Sequence, residues 1–551
     1  MHETSGPLPS TEDLCDDLEP DYVAGLETVP ENGVINQPSN NNIGDNNDPS
    51  LHRSHTQPRP SSPSNSVSGT SRTGTLGARS PREKAQKFFG EDSIPSSVHV
   101  SRQREDKPWF LGYDYQQDDL VFNMEQHVKG GTLAALGERL TMHDLLDSNF
   151  IATFLLTYRS FTSTDEFFNL LVKRFMIQPP DNLSPEEIEI WQEKKQTPIR
   201  LRVFNIMKSW LENYYIDDQD SHCLERMRDF AQKIMHEHMA FAAVSLIKVI
   251  ERRQKQPKDA NFRDFRDMVL TNPGSPPASI LPKNMKKLKF LDLDPLEIAR
   301  QLTIIESKLY NKIRPVECLN KAWSKESKEE GDEGEIAENI KAMIVNSNQI
   351  TGWVAESILN QPEVRKRCAL IKHFVTIADK CRVLNNFNSL TAIISGLNSA
   401  PIHRLKRTWE MVNQRTMQTL EVLNRIMNST KNFSDYREML HSVNPPCVPF
   451  LGVYLTDLTF IEDGNPDTLK KGRALINFSK RMKTAEVIRE IQQYQSVPYF
   501  LKAVQEIQIF IKSHLQDSRD VSELYELSLN MEPREREDEK IARLLQESGF
   551  L

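Results

Sequence analysis

The sequence has few cysteines and none of the spacings in which cysteines usually cooperate. Six occur among 551 residues, widely separated and without a Cys-x-x-Cys pair: Cys15, Cys223, Cys318, Cys368, Cys381 and Cys447. Disulfide frameworks and structural zinc sites need closer, paired spacings. We therefore predict a reduced intracellular protein with buried thiols.

Long apolar runs and basic tracts are also missing. No apolar run reaches the ~20 residues that a membrane helix needs, and the N-terminus is acidic and polar, unlike a signal peptide. The net charge is −8, and charges of both signs are mixed along the chain. Because nucleic-acid-binding proteins carry a basic patch or a basic–aromatic motif, we expect no nucleic-acid partner and no direct membrane insertion.

The chain lacks the signatures of common catalytic and metal sites. It contains no G-x-x-x-x-G-K-S/T loop, no G-x-G-x-x-G and no G-x-S-x-G. His236 and His238 are two residues apart, so on a helix they would not face each other as zinc ligands do. The acidic stretch 462–467 lacks the ligand spacing of a calcium loop. These absences disfavour a hydrolase, a kinase or a redox enzyme, and we expect no cofactor and no metal.

What the sequence does contain is helical patterning between breaks in composition. Residues 1–105 are rich in Ser, Pro and Asn and bury too little apolar surface to offset their ordering entropy, so we predict disorder there. Residues 254–287 are proline-rich and are interpreted as a linker. Elsewhere apolar residues recur every three or four positions. This predicts an all-α protein with two helical domains, 120–253 and 288–535, and a charged tail at 536–551.

Local signals predict where individual helices begin and end. Hydroxyl residues followed by acids at 162–166 predict a helix start, and Pro179 with Pro180 predicts its end. Pro185, followed by two glutamates, predicts another first turn. Regular apolar stripes predict further helices over 197–214, 222–253, 288–313, 336–358, 364–384, 407–427, 431–442, 498–515 and 520–529.

One stretch, residues 444–483, breaks this regular pattern. Pro445, Pro446 and Pro449 fix φ and remove backbone donors, so the chain enters the stretch stiffly. An apolar run follows, then an acidic turn and a segment that runs back. We interpret the prolines as the structural base of a protruding element that is suited to insertion into another molecule.

Several motifs in this chain occur together and in a fixed order. The first domain contains GGTLAALGERL at 130–140 and FIATFLLTYRSF at 150–161, and the second contains LDPLEIARQLT at 293–303, LNNFNSL at 384–390 and NPPCVPFLGVYLTDL at 444–458. Together they resemble the Ras guanine nucleotide exchange factor family, which includes son of sevenless. The first pair looks like the N-terminal Ras exchanger motif and the others look like boxes of the catalytic domain. The combination is more similar to fungal-type Ras activators than to Rap or Ral exchangers.

The resemblance implies a helical catalytic domain with a projecting helical hairpin. That hairpin would insert beside the nucleotide site of a Ras-type small GTPase, in its GDP-bound and nucleotide-free forms. Its arms would cover 450–462 and 474–494. The second arm has a helical apolar repeat, whereas residues such as Val453, Tyr454 and Phe460 favour a strand in the first, and we follow the family there.

The resemblance also implies roles for single residues. Asn398 occupies the position whose amide bonds the switch region of the GTPase, and Phe450 that of an aromatic which packs on the GTPase. Thr456 and Thr459 lie along the first arm, and Thr459 stands where some members place an apolar residue near the metal. Asp463 aligns with a tip acid that reaches toward the phosphate-binding loop. The structural alternatives are a helix-ending Asn, a core Phe and a solvated turn acid.

The predicted function is therefore acceleration of GDP release and GTP loading on a Ras-type GTPase, without covalent chemistry and so without enzymatic catalysis. The first domain would brace the hairpin. Two alternatives stay open, exchange on a Rap-type GTPase and a scaffold that binds a GTPase without exchange. Since the sequence shows no lipidation motif, we expect a cytoplasmic protein that reaches membranes through the GTPase or other partners.

Overall fold

The computed structural model describes five long segments and a few single positions: residues 107–255, 275–324, 337–471, 473–515 and 519–534, with 541, 545, 546 and 548. The segment 1–105, the middle of the 254–287 linker and most of the 536–551 tail lie outside the described residues. The boundaries 120–253 and 288–535 remain predictions. From residue 108 onward the described chain belongs to one compact unit.

Helices make up most of the N-terminal domain. They are Leu133–Leu140, Ser148–Thr157, Thr164–Phe175, Pro185–Trp191, Thr197–Ser209, Asp217–Asp220, Leu224–Phe230, His236–His238 and Ala240–Lys255. The predicted starts are confirmed, since Ser163 and Glu166 form a reciprocal cap and Ser184 caps the helix that begins at Pro185. The single helix predicted over 222–253 is interrupted at Met239, whose backbone is not helical.

Helices also dominate the second domain. They are Pro295–Tyr310, Glu338–Leu359, Val364–Val383, Phe387–Asn398, Ala400–His403, Lys406–Glu410, Gln414–Ile426, Thr430–Ser442, Leu451–Gly464, Phe478–Gln495, Gln505–His514 and Val521–Met531. The helices predicted over 288–313 and 498–515 begin later, at Pro295 and Gln505. Across the described part of the chain, none of the helices combines the length and apolarity that a membrane span needs.

A four-stranded antiparallel sheet, which the sequence patterns did not predict, joins the two domains. Strands β1 (Leu120–Phe122) and β2 (Val128–Gly131) come from the first domain, and β3 (Thr468–Lys471) and β4 (Arg473–Asn477) come from the second. The order is β1-β2-β4-β3. The expectation that the second hairpin arm is helical from residue 474 is therefore wrong, since its first residues form β4.

The contact between β2 and β4 depends on glycine. Gly130 pairs with Asn477, and Gly131 pairs with Ile476. A Cβ atom added at Gly130 would lie 2.6 Å from the carbonyl oxygen of Ile476. Since a residue with a side chain would push the strands apart, Gly130 allows the first domain to approach the hairpin closely.

The cores of both domains meet at the helix Phe478–Gln495. Phe478 is fully buried in the core of the first domain, with its ring centroid 4.6 Å from that of Phe150. Arg489 donates from Nη2 to Oγ1 of Thr153 at 2.7 Å. Further along the same helix, Ile488 and Ile491 belong to the core of the second domain. The first domain therefore holds one side of this helix and the second domain holds the other.

Candidate functional site

The candidate site is a hairpin of two helices that strands β3 and β4 connect. We call Leu451–Gly464 the first hairpin helix and Phe478–Gln495 the second hairpin helix. The first is a helix, as the family resemblance implied and against its strand propensity. Leu451, Leu455 and Leu458 are each at most 3% exposed and lie on one face of that helix. Their burial in the core outweighs the intrinsic preference of the segment.

The predicted base residues precede the first hairpin helix. Pro449 is buried, Pro445 and Pro446 are half-buried, and the peptide bond between the latter two is cis. Val448 lies between Pro446 and Pro449, and its backbone N–H donates to the carbonyl oxygen of Asn385 at 2.9 Å. The entry to the hairpin is thus hydrogen-bonded to the rest of the second domain, and the role of the prolines as its base remains a prediction.

Phe450 is the N-cap residue of the first hairpin helix and is half-buried. Its backbone N–H donates to the hydroxyl of Tyr436 at 2.8 Å. Its ring lies over Gly452, where an added Cβ would come within 2.5 Å of a ring carbon, and its centroid is 5.7 Å from that of Phe433. A ring that packs on one side and is accessible on the other can serve both as core and as partner contact.

The segment that carries Phe433 has an unusual backbone. Lys431, Asn432 and Phe433 have φ values of 50°, 54° and 57°, a left-handed conformation that residues with side chains rarely adopt. The right-handed part of the helix Thr430–Ser442, which was predicted over 431–442, therefore begins only after Phe433. Side chains from both parts hold the hairpin. Asp457 accepts two hydrogen bonds of 2.8 Å from Arg437 and one of 3.3 Å from Asn432.

Thr456, Thr459 and Asp463 lie on one face of the first hairpin helix, because three and four residues separate them. We call this the outward face. Both threonines are half-buried, and each hydroxyl donates at 2.8 Å to the carbonyl oxygen one turn earlier. Phe460 lies on the same face and is 64% exposed. By propensity Phe460 indicates only a strand, whereas its helical spacing from Thr456 is the signal that places it on this face.

Asp463 lies at the tip and is exposed, as expected for a tip acid. Its Oδ1 accepts from Nζ of Lys321 at 2.6 Å. Lys321 is half-buried and has a φ of 51°. No sequence pattern indicated this partner, because 142 residues separate the two positions. The acid therefore has a cationic neighbour within the chain.

The neighbouring Glu462 points to the interior of the hairpin. Lys480, which is 1% exposed, donates to Oε1 of Glu462 at 2.8 Å and to Oδ1 of Asp467 at 2.9 Å. Asp467 also accepts from Arg481 at 2.6 Å. Partial burial disfavours ionisation of Asp467, but the hydrogen bonds from the two cations outweigh it and hold its pKa below the ordinary value.

Asn398 lies outside the hairpin. It is the last residue of the helix Phe387–Asn398, it is exposed, and its Nδ2 donates to Oδ1 of Asn424 at 2.9 Å. The structure thus places four predicted site residues on or at the first hairpin helix and the fifth at the end of another helix. Exposure leaves Asn398 accessible, and its place at a helix end also fits the structural alternative.

A buried carboxyl group lies near the N-terminus of the first hairpin helix. Glu306 is fully buried, and its oxygens accept from the side-chain amides of Asn346 and Asn388, the latter at 2.6 Å. Burial raises the pKa of Glu306 to about 7 despite these hydrogen bonds. Asn388 Oδ1 also accepts from the backbone N–H of Leu451 at 3.4 Å. One side chain therefore connects a titratable group to the first residue of the hairpin.

Metal-ligand atoms come together at one place in the part of the chain that the structure describes. Asp165, His222 and Cys223 each offer one such atom within 4.8 Å of the others. The guanidinium group of Arg226 contacts the same carboxylate. Its positive charge disfavours a metal cation there, so we interpret the group as an ion-paired cluster of the N-terminal domain.

Comparison with known proteins matches both domains. The RasGEF domain family matches residues 297–482, and the RasGEF N-terminal motif matches residues 127–230. The first match contains both hairpin helices as far as residue 482, and the second contains β2 and the helix Ser148–Thr157, whose rings pack on Phe478. Both matches lie within the two domains that the sequence predicted.

Individual relatives are similar over most of this chain. Cell division control protein 25 of Saccharomyces cerevisiae is 38% identical over 467 residues, and that of Candida albicans is 42% identical over 434 residues. The alignments cover 81% and 78% of this chain but only 29% and 32% of the two fungal proteins. Ras guanine nucleotide exchange factor A of Dictyostelium discoideum is 35% identical over 466 residues, which are 81% of this chain and 70% of that protein.

Proposed function

We propose, because this chain belongs to the RasGEF family, that it is a guanine nucleotide exchange factor which promotes GDP release and GTP loading on a Ras-type small GTPase. The observation that carries the proposal is the first hairpin helix. Its inner face is fixed in the core, and its outward face presents Thr456, Thr459, Phe460 and Asp463. The similarity to fungal relatives supports a fungal-type Ras activator.

The proposed mechanism is mechanical and electrostatic. A GTPase holds its nucleotide through Mg²⁺ and through backbone amides that surround the phosphates. A rigid helix that enters beside this site displaces one of its walls and removes some of those contacts. No covalent bond is made or broken in the nucleotide, so we do not class the activity as covalent catalysis, and we expect it to need no cofactor of its own.

Thermodynamic linkage sets the size of the effect. Whatever free energy the exchange factor gains by binding the nucleotide-free GTPase is lost from the affinity for nucleotide. A thousandfold loss of nucleotide affinity requires about 4 kcal/mol of coupling. A few well-placed anchor residues in a helical interface can supply this amount. We assign Phe450 as one such anchor and Asn398 as a contact to the switch region.

The tip residues have different proposed roles. Asp463 would place a negative charge near the phosphate-binding loop, where it opposes phosphate and competes for the donors of the loop. Its ion pair with Lys321 is exposed, so its loss costs little free energy. Thr459 is small, and its hydroxyl already donates to Leu455. We therefore assign opening of the metal site to displacement by the whole helix and not to one bulky side chain.

The first domain has a supporting role in this proposal. Strand β2 pairs with β4, and Phe150 packs on Phe478. Both contacts fix the second hairpin helix, on which the first hairpin helix rests through Lys480 and Glu462. We propose that the first domain braces the hairpin and makes no exchange contact itself. We also propose a cytoplasmic protein that the GTPase or other partners recruit to membranes.

A nucleotide-release assay tests the function. The full chain at micromolar concentration is mixed with a Ras-type GTPase that carries a fluorescent GDP analogue, in the presence of excess GTP. We expect release many times faster than in buffer, and an unchanged rate would refute the proposal. A parallel assay with a Rap-type GTPase tests the first alternative. Tight binding to nucleotide-free GTPase without faster release would identify a scaffold instead.

A further inference from the structure

Phe460 is a large apolar side chain that the fold leaves exposed. Its exposure is 64%, whereas Leu451, Leu455 and Leu458 of the same helix are at most 3% exposed. Single exposed apolar residues are common on protein surfaces, so exposure alone assigns no role. A role for Phe460 is indicated instead by its place on the outward face and by the hydrogen bonds that its neighbours make.

The neighbours of Phe460 on the outward face already have hydrogen-bond partners. The hydroxyls of Thr456 and Thr459 donate to the carbonyl oxygens of Gly452 and Leu455. Asp463, three residues beyond Phe460, is paired with a lysine. Because both threonine hydroxyls already donate within the chain, burial of the Phe460 ring is a substantial gain that this part of the face offers on contact with a partner.

The ring is also presented on a fixed support. Asp457, three residues before Phe460, accepts both hydrogen bonds from Arg437 at 2.8 Å. Glu462, two residues after it, accepts from the buried Lys480. Residues on both sides of Phe460 are thus held in place before any partner arrives, which lowers the entropy cost of binding.

We propose that Phe460 is an anchor that sets partner specificity by inserting into an apolar pocket on the GTPase surface, lined by aliphatic or aromatic side chains. This inference rests on the proposed function and names the chemistry of the surface that the hairpin recognises. GTPases with a charged side chain at that point would be poor partners, because the ring would desolvate the charge without pairing it. Burial of one phenylalanine changes affinity on the order of tenfold to a hundredfold.

The test compares variants of the full chain in two assays, binding to a nucleotide-free Ras-type GTPase and release of a fluorescent GDP analogue. Phe460→Ala should raise the dissociation constant and the half-saturating GTPase concentration at least tenfold, with a smaller change in the release rate at saturation. Phe460→Leu should recover most of the affinity, and Phe460→Lys should not. Phe241→Ala is the matched control, because Phe241 is 87% exposed but lies in the N-terminal domain.

Each outcome decides a separate point. Wild-type affinity in Phe460→Ala, or an equal loss in Phe241→Ala, would overturn the assignment. So would a Phe460→Ala change confined to self-association of the chain, measured by sedimentation without GTPase. If the wild type binds the GTPase without accelerating release, the exchange function fails while the comparison of binding constants still tests Phe460. If the wild type binds no Ras-type GTPase, both proposals are overturned.

Discussion

Nζ of Lys480 and Oε1 of Glu462 are 2.8 Å apart, and this contact joins the start of the second hairpin helix to the end of the first. The same Nζ also donates to the carbonyl oxygen of Glu462 at 3.2 Å. A cation at the C-terminus of a helix is favourable, because the last carbonyl groups carry partial negative charge. One buried ammonium group thus holds the two arms of the hairpin together.

Substitution of Lys480 tests this connection. Loss of one partner from a buried ion pair costs about 3–5 kcal/mol. Since Glu462 keeps some access to water, we expect Lys480→Met to lower the free energy of unfolding by about 3 kcal/mol, the lower end of that range. Urea unfolding measures the change. Lys483→Met is the control, because Lys483 is exposed and its bond to Asn465 is 3.2 Å long. Equal stability losses in both variants would contradict the assignment.

Substitution of Gly130 tests the contact between the domains. In Gly130→Ala the new Cβ would lie 2.6 Å from a backbone oxygen of β4, so the strands must shift apart. Such a clash costs about 1–3 kcal/mol, and the amides of β4 should exchange faster with deuterated solvent. Gly464→Ala adds a Cβ in open space and should change stability little. Unchanged protection of the β4 amides in Gly130→Ala would refute the prediction.

Substitution of Phe450 separates its packing in the fold from its proposed contact with the GTPase. Phe450→Ala should reduce the rate at which this chain accelerates nucleotide release from the GTPase at least tenfold, because a binding anchor is worth about 2 kcal/mol or more. The fold should persist, since the ring is only half-buried. Release kinetics and urea unfolding on the same preparation distinguish the effects. Full release activity would leave Phe450 with a packing role only.

The raised pKa of Glu306 predicts that the free energy of unfolding depends on pH. Its pKa is raised from 4.5 to about 7 in the folded chain because burial disfavours the charged carboxylate. The folded state therefore favours the protonated acid. The free energy by which the protonated acid stabilises the fold is fully present below pH 4.5 and is lost as the pH rises through 7.

The variant Glu306→Gln isolates this effect, because glutamine has the shape of the protonated acid and does not titrate. We expect the stability of Glu306→Gln relative to the wild type to increase by about 3 kcal/mol between pH 4.5 and pH 7 and to stay constant above. Chemical unfolding of both proteins at several pH values measures the difference. A difference that is independent of pH would show that the pKa of Glu306 is the same in the folded and unfolded states and would contradict the prediction.

The sequence was sufficient for the helical architecture but not for the sheet. Helical spacing and capping residues identified helices such as Thr164–Phe175 and Val364–Val383. Strands β1 and β2 are only three and four residues long, so they offer too few positions to reveal an alternating pattern. Strand β4 was hidden because its apolar residues continue the repeat of the helix that follows.

The site residues were named from the family resemblance, since the local propensity of the first hairpin helix favours a strand. Thr456, Thr459 and Asp463 share a face of one helix, which their separation in sequence implies. The partners of the tip residues were not predictable. Lys321 meets Asp463 across 142 residues, and Arg437 meets Asp457 across a left-handed turn. Such contacts depend on the tertiary fold, and a single sequence carries no local signal for them.

The sheet that β2 and β4 share also means that removal of the first domain would expose part of the second. A fragment that starts at residue 275 would lack β1 and β2, and β4 would become an edge strand with unpaired backbone groups. Phe478, fully buried in the intact chain, would lose the rings that cover it. Edge strands next to exposed apolar side chains are sites of aggregation. We therefore expect the second domain to be less stable and more prone to aggregation when the first domain is removed.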